Sequence, residues 1–138
     1  MLRRRLAKRV FLKGVSMADP WQILVVEDDA DVAGLVRLVL EAEGFEVATA
    51  WDGHAGLRQF FGEGADVVVL DLKLPGIDGW EVCQRIRAAS SVPIILLTAY
   101  ALPADREHGL ALGANEYVCK PFSSNDLLHR IHKCLVAA

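Results

Sequence analysis

Several ionisable or hydroxyl-bearing residues in this sequence directly follow short apolar runs, where a fold could gather them into one site. They are Glu27, Asp28, Asp29, Asp71, Thr98 and Lys120. Carboxylates that are held close together repel one another, and their pKa values rise unless a cation is present. Ligation by oxygen atoms alone suits Mg²⁺ or Mn²⁺ better than zinc, which favours His and Cys ligands. If the fold brings these acids together, we therefore expect a divalent-metal site.

A simpler role is open for the two consecutive aspartates. Asp28 and Asp29 precede an amphipathic segment, and an aspartate in such a position accepts hydrogen bonds from the first N–H groups of a helix. We expect one of the two to act as this cap. Capping explains one acid but leaves Glu27 and Asp71 without a partner, so the metal-site interpretation stands beside it.

The strands that must position these residues are indicated by their apolar patterns. The runs at 23–26, 67–70 and 94–97 are continuously apolar, as in parallel strands that are covered by helices on both faces. The segment 45–49 alternates and the segment 116–119 is short and mixed, so we place these two strands at the edges of the sheet.

Longer amphipathic segments lie between the strands and predict helices. The residues Val32, Leu35, Val36, Val39 and Leu40 share one helical face, and this helix is expected to stop at Gly44. In chain order the predicted elements are β1 22–27, α1 31–43, β2 45–49, α2 53–62, β3 66–71, α3 78–89, β4 93–98, α4 103–112, β5 115–119 and α5 124–136.

This alternation predicts an α/β fold with a doubly wound, five-stranded parallel sheet. Functional side chains in such sheets collect at the carboxyl ends of the strands. The polar residues that end β1, β3 and β4, together with Lys120 after β5, are therefore expected to converge on one rim.

Four segments resemble, in order and at compatible spacing, the motifs of the response-regulator receiver family. They are Ile23–Asp29 (ILVVEDD), Val68–Gly79 (VVLDLKLPGIDG), Thr98-Ala99 and Gly113–Phe122 (GANEYVCKPF). The resemblance extends from about Gln22 to the C-terminus. It implies a flavodoxin-like three-layer sandwich with strand order 2-1-3-4-5, and a phosphorylation-activated switch in a bacterial two-component phosphorelay.

The resemblance also implies a role for individual residues. Asp71 matches the phosphoacceptor, and Thr98 and Lys120 match the hydroxyl and the cation that contact the phosphoryl group, with Lys120 before a cis Pro121. The implied ligands of Mg²⁺, for which Mn²⁺ can substitute, are Glu27, Asp28, Asp71 and the backbone carbonyl of Lys73. Such a domain is no conventional enzyme, but it catalyses its own phosphorylation from phosphohistidine and its slow autodephosphorylation.

Thr98 and Tyr117 are the residues that the resemblance assigns to the switch itself. If the hydroxyl of Thr98 moves towards a phosphoryl oxygen, it vacates space into which Tyr117 can turn, and a local event then biases a two-state element. The alternative for Tyr117 is a simple aromatic residue of an edge strand. Lys73 and Tyr100 lie two residues beyond Asp71 and Thr98, and we hypothesise that their bulk slows the attack of water on the phosphoryl group.

The ends and the composition of the chain set further expectations. We expect residues 1–18 to be a basic leader that is either not native or disordered, and residues 19–138 to form the receiver domain. The three cysteines lack CxxC pairing and no apolar run is long enough to span a bilayer, so we expect a cytoplasmic protein that does not bind membranes. Although basic leaders can bind nucleic acid, no direct binding by the folded domain is expected.

Other functions fit the residues less well. Dehalogenase-type phosphatases need a second aspartate where Lys73 stands. A flavodoxin-like protein binds the phosphate of its cofactor after β1, where the acids of this sequence would repel it. The remaining rival is a receiver-like interaction module that is not phosphorylated.

The expected partners are a histidine kinase or a histidine phosphotransfer protein, and an output partner at the α4-β5-α5 face. Phosphorylation-dependent dimerisation through that face is a further hypothesis, for which the useful charges are those of Arg106, Glu116, Asp126 and Arg130. The chain is either a stand-alone regulator or the receiver of a longer transcriptional regulator.

Overall fold

The structure is a computed structural model that describes residues 20–100 and 102–137. The predicted leader, residues 1–18, lies outside the described residues. With the labels kept from the sequence, the elements are β1 Gln22–Val26, α1 Ala30–Ala42, β2 Glu46–Ala50, α2 Gly53–Glu63, β3 Val67–Leu70, α3 Gly79–Ala89, β4 Ile94–Thr98, α4 Pro103–Ala111, β5 Glu116–Cys119 and α5 Ser124–Ala137. Each boundary lies within one residue of its prediction.

The five strands form one parallel sheet in the order β2-β1-β3-β4-β5. Val26 is paired with Ala50 on one side and with Leu70 on the other, so the residues that follow these strands lie at the same edge. At the far side of the sheet, Thr98 pairs with Cys119. The predicted α/β fold, the strand order and the placement of β2 and β5 at the edges are confirmed.

The core consists of two layers because successive strand residues point to opposite faces. Leu24, Val68 and Leu96 pack on one face with buried residues of α2 and α3. On the other face, Ile23, Val69 and Ile95 pack with buried residues of α1 and α5. Burial on both faces explains why these strands read as continuous apolar runs.

Side-chain oxygens cap four of the helices, and at α5 the hydroxyl of Ser123 accepts a hydrogen bond from the N–H of Asp126 at 3.3 Å. Asp29 accepts hydrogen bonds from the N–H groups of Asp31 and Val32 at the start of α1, and Asp52 and Asp78 cap α2 and α3. Asp29 is thus the capping residue of the Asp28-Asp29 pair. At the other end of α1, Gly44 has a φ of 93°, as expected of a glycine that follows a helix.

Helix α4 is attached to the domain differently from α1, α2 and α3. Leu102 precedes it without any side-chain capping hydrogen bond, and its one buried residue is Gly109. Leu102 and Leu110 of this segment are exposed. The packing of α4 therefore depends on close approach at Gly109 and not on a buried apolar stripe.

Among the helices of the described residues, none combines the length and apolar character that a bilayer span requires. The cysteines at 83, 119 and 134 are free thiols, and two of them are buried.

Candidate functional site

Three carboxylates meet at the carboxyl edge of β1 and β3. Glu27, Asp28 and Asp71 each place one carboxylate oxygen within 4.8 Å of those of the other two. Glu27 and Asp71 are buried, with exposed fractions of 3% and 6%, whereas Asp28 is exposed. The strand register produces this cluster, since Glu27 and Asp71 directly follow the paired residues Val26 and Leu70. The predicted convergence of these acids on one rim is therefore found in the structure.

Lys120 supplies a positive charge to the two buried carboxylates. Its Nζ donates hydrogen bonds to Glu27 Oε1 at 2.7 Å and to Asp71 Oδ2 at 3.1 Å. The backbone at the base of this side chain is bonded to β4, since the N–H of Lys120 donates to the carbonyl of Thr98 at 2.7 Å. The Lys120-Pro121 peptide bond is cis. The cis peptide bond agrees with the sequence expectation.

Burial changes the protonation of this cluster. The pKa of Glu27 is raised to about 7, mainly by desolvation and also by the charge of Asp71, although hydrogen bonds from Lys120 and from the N–H of Asp29 oppose the shift. For Lys120, burial alone would lower the pKa, but the hydrogen bonds to Glu27 and Asp71 and the negative charges of these two carboxylates together outweigh it, so the pKa of Lys120 is raised. When all three carboxylates are ionised, they carry three negative charges against the single positive charge of Lys120.

The donor set fits a hard divalent cation. It consists only of oxygen atoms, includes one exposed carboxylate that solvent can reach, and is short of positive charge. Glu27, Asp28 and Asp71 are the residues that could hold such an ion. The assignment of the Lys73 carbonyl as a further ligand stays a prediction.

The loop after β3 and the start of α3 contact Asp71 on its side chain and on its backbone. The N–H of Lys73 donates to Asp71 Oδ1 at 3.3 Å, and the N–H of Gly79 donates to the carbonyl of Leu72 at 2.8 Å. A Cβ atom on Gly79 would lie 2.2 Å from the carbonyl oxygen of Asp71, so only glycine permits this approach of α3. Gly79 was not singled out from the sequence, although an Asp-Gly pair at the start of a helix was the available signal.

Two hydroxyl groups hold the backbone of Tyr100 from its two sides. Thr98 Oγ1 accepts a hydrogen bond from the N–H of Tyr100 at 3.2 Å, and the phenol of Tyr117 donates to the carbonyl of Tyr100 at 2.5 Å. Tyr117 is 2% exposed. From the sequence we expect Tyr117 to turn inwards when Thr98 moves, whereas in this structure the ring is already inside.

The structure also locates the residues proposed for tuning and for dimerisation. Lys73 and Tyr100 have exposed side chains near the mouth of the rim. Of the dimer residues, Arg130 bonds to Glu116 at 2.8 Å and to Asp126 at 3.1 Å within the same chain. These charges are therefore engaged internally, and dimerisation through them stays a prediction.

The chain is similar to known proteins over most of its length. The family model described as response regulator receiver domain matches residues 23–132. The sensory transduction protein RegX3 of Mycobacterium tuberculosis is 46% identical over 113 residues, which are 82% of this chain and 50% of RegX3. The chain therefore spans about half the length of this relative.

Solved structures agree with the sequence comparison. A putative response regulator from Chloroflexus aurantiacus superposes with a TM-score of 0.81 at 37% identity, covering 85% of this chain and 98% of that one. The BeF3-activated receiver domain of Klebsiella pneumoniae RstA gives 0.80 at 32% identity, covering 83% and 97%.

Receiver domains bind Mg²⁺ in an acidic pocket, and those of response regulators interact with histidine kinases. The acidic cluster at Glu27, Asp28 and Asp71 has the composition of that pocket. With its sheet order, its rim and a family match over most of its length, this chain belongs to the response regulator receiver domains of two-component systems.

Proposed function

We propose that this chain is a phosphorylation-activated switch that accepts a phosphoryl group on Asp71 from a phosphohistidine. The observation that carries the proposal is the pair of contacts from Lys120 Nζ, 2.7 Å to Glu27 and 3.1 Å to Asp71. They fix an ammonium group beside a carboxylate that lies next to two further acids.

The proposed transfer forms one bond and breaks one. A carboxylate oxygen of Asp71 attacks phosphorus as the P–N bond to the donor imidazole breaks, and the imidazole nitrogen leaves with the bonding electrons and takes up a proton from solvent. Lys120 lies where it can pair with the negative charge that arrives on the phosphoryl oxygens. Thr98, at the end of the neighbouring strand, supplies a hydroxyl that can donate to the same group.

Glu27, Asp28 and Asp71 are proposed to hold Mg²⁺, with Mn²⁺ as a substitute. When bound, this cation would neutralise the negative charge of the clustered carboxylates and of the phosphoryl oxygens. Asp28 contributes the accessible carboxylate, while the hydrogen bond from the N–H of Asp29 orients Glu27.

An apolar groove beside the rim supports the approach of a donor protein from that side. It has a volume of about 370 Å³ and is lined by Val32, Leu35, Lys120, Pro121 and Phe122. Lys120 lines the groove and also bonds to Asp71 of the acidic cluster. A domain that binds in the groove therefore brings a phosphohistidine close to Asp71. We propose a helical domain of a histidine kinase or a histidine phosphotransfer protein as the occupant.

Transfer from a purified kinase tests this docking side. A panel of autophosphorylated histidine kinases is screened for the one that labels the wild-type chain fastest. Leu35→Glu is expected to slow labelling by that kinase about 10-fold or more, since a charge would enter an apolar contact. Labelling by acetyl phosphate should stay unchanged, and equal slowing with both donors would refute the groove as the docking side.

The central experiment is mass spectrometry after incubation with Mg²⁺ and acetyl phosphate. We expect one labile, Mg²⁺-dependent addition of about 80 Da, the mass of a phosphoryl group, which is absent from Asp71→Asn. No addition to the wild-type chain would favour the rival interpretation, an interaction module that uses the acidic rim without phosphorylation.

The output and the setting of the switch extend the proposal. The α4-β5-α5 face is proposed to bind the output partner, or a second copy after phosphorylation. The relative RegX3 is about twice as long as the matched segment, which supports the receiver of a longer regulator as one of the two open arrangements. The free cysteines support a reducing, cytoplasmic location.

A further inference from the structure

Gly109 lies at the contact between α4 and the switch tyrosine. A Cβ atom built on Gly109 would lie 2.7 Å from Leu96 Cδ1, 3.2 Å from Tyr117 Cδ2 and 3.4 Å from a ring carbon of Trp80. Residues of β4, β5 and α3 thus all pack closely against α4 at Gly109, where the helix has no side chain. A glycine in the middle of a helix weakens it, so close packing is the physical reason for its presence here.

The rest of α4 offers little else to hold it. Gly109 is its one buried residue, and no side chain caps its first turn. The neighbouring His108 is exposed, and its ring packs against Trp80 with the ring centroids 4.4 Å apart. Gly109 is therefore the one fully buried contact of α4, beside the ring contact of His108 with Trp80.

Tyr117 is the member of that contact that is linked by hydrogen bonds to the rim. Its phenol bonds the carbonyl of Tyr100, whose N–H bonds the hydroxyl of Thr98 at the rim. If the Thr98 hydroxyl shifts, as the proposed function requires, the backbone of Tyr100 loses that hydrogen bond, and the segment that holds the Tyr117 phenol becomes free to move. The ring in turn lies directly under Gly109.

We propose that Gly109 is a positioning residue that couples the position of helix α4 to that of the Tyr117 ring. Because Gly109 has no side chain, the helix packs directly on the ring, and a movement of the ring moves the helix. The inference depends on the proposed function, since it names the point at which phosphorylation of Asp71 would reach the α4 surface. A methyl group at this position separates helix and ring, so the helix no longer follows the tyrosine.

Fluorine NMR of 3-fluorotyrosine-labelled protein tests the packing without phosphorylation. The chain has two tyrosines, and Tyr100→Phe assigns their signals. In Gly109→Ala, relaxation of the Tyr117 signal by a soluble paramagnetic probe is expected to rise several-fold towards that of Tyr100. Gly34→Ala is the matched control, because a methyl group there meets open space on α1, and it should match the wild-type chain. Wild-type protection in Gly109→Ala would overturn the proposal.

If Gly109→Ala does not fold, the variant Leu96→Val/Gly109→Ala takes its place. It removes the nearest clashing atom, Leu96 Cδ1, but keeps the contact with Tyr117. Far-UV circular dichroism confirms that it is folded, and the same loss of protection is expected.

Acetyl phosphate then separates this proposal from the proposed function. With Mg²⁺, Gly109→Ala should gain phosphoryl mass as the wild-type chain does, but without the wild-type change in the Tyr117 signal. A wild-type response in Gly109→Ala overturns the role of Gly109. If the wild-type chain gains no phosphoryl mass, the proposed function is refuted instead. The fluorine NMR measurement on unphosphorylated protein then still decides whether Gly109 holds α4 against Tyr117.

Discussion

The phenol of Tyr117 donates a hydrogen bond to the backbone carbonyl of Tyr100 at 2.5 Å. These residues lie on different elements, and the N–H of the same Tyr100 bonds the hydroxyl of Thr98. The peptide of Tyr100 therefore connects the rim of the sheet with the ring beneath α4. These bonds give a physical route from Thr98 at the rim to the residues beneath α4, and its parts can be tested separately.

Tyrosine ionisation tests the inward position of Tyr117. Burial, assisted by nearby negative charge from Asp105, raises its pKa from 10.0 to about 12. The neutral phenol therefore stabilises the fold fully below about pH 10, and this contribution is lost as the pH rises through about 12. In an absorbance titration, Tyr117→Phe should lose the late tyrosinate component, at a cost in stability of about 1 kcal/mol. A late component that survives in Tyr117→Phe would place the buried phenol elsewhere.

Mg²⁺ binding tests the acidic cluster. Asp28→Asn removes the exposed carboxylate of the cluster and is expected to weaken Mg²⁺ binding about 10-fold or more. Isothermal titration calorimetry measures this directly, and the stabilisation of the fold by Mg²⁺ should fall in parallel. The control is Asp31→Asn, an exposed acid in the first turn of α1 outside the cluster. Equal weakening by both variants would show a diffuse charge effect and no defined site.

Much of the fold could be predicted because the sheet is buried on both faces. Strands such as 67–70 had to be continuously apolar, and the acids that follow β1 and β3 then had to share one edge. The choice of Asp29 over Asp28 as the cap could not be predicted, since it depends on where α1 begins. The burial of Tyr117 could not be predicted either, because it depends on a contact with the loop at Tyr100, which lies 17 residues earlier in the chain.

The lifetime of the phosphoryl group tests the tuning hypothesis. Lys73 and Tyr100 are exposed beside the rim, so their side chains can obstruct the approach of water to Asp71. Lys73→Ala/Tyr100→Ala is expected to shorten the half-life of the aspartyl phosphate several-fold, as measured by loss of phosphoryl mass with time. Arg85→Ala, an exposed cation on α3, is the control. An unchanged half-life in the double variant would refute the hypothesis.

Two glycine substitutions should change stability in opposite directions. Gly79→Ala places a methyl group 2.2 Å from the Asp71 carbonyl oxygen and is expected to destabilise the fold by about 1–3 kcal/mol. The displaced backbone carries Asp71, so labelling by acetyl phosphate should also slow. Gly34→Ala meets no atom within 4 Å and should stabilise α1 by about 0.5–1 kcal/mol. Chemical denaturation measures both, and equal effects would contradict the described packing.

Arg87 joins three segments at the edge of the sheet opposite to the acidic cluster. Its guanidinium donates to the carbonyl of Gly113 at 2.8 and 3.0 Å, and also to the carbonyls of Ser90 and Val92 and to Asn115 Oδ1. Burial lowers its pKa, although the nearby Cys83 opposes the shift.

Arg87→Met should leave the carbonyls of Gly113, Ser90 and Val92 without their hydrogen bonds from the guanidinium, whereas Asn115 Oδ1 keeps the bond from the N–H of Ile94, and it should lower the free energy of unfolding by about 2–3 kcal/mol. Arg85→Met, which loses only an exposed ion pair with Glu81 on the same helix, should lower it by less than about 0.5 kcal/mol. Because Arg87 lies away from Asp71, labelling of the folded Arg87→Met protein by acetyl phosphate should keep its wild-type rate. Equal denaturation midpoints for the two variants would show that the Arg87 hydrogen bonds add nothing to stability beyond an exposed ion pair.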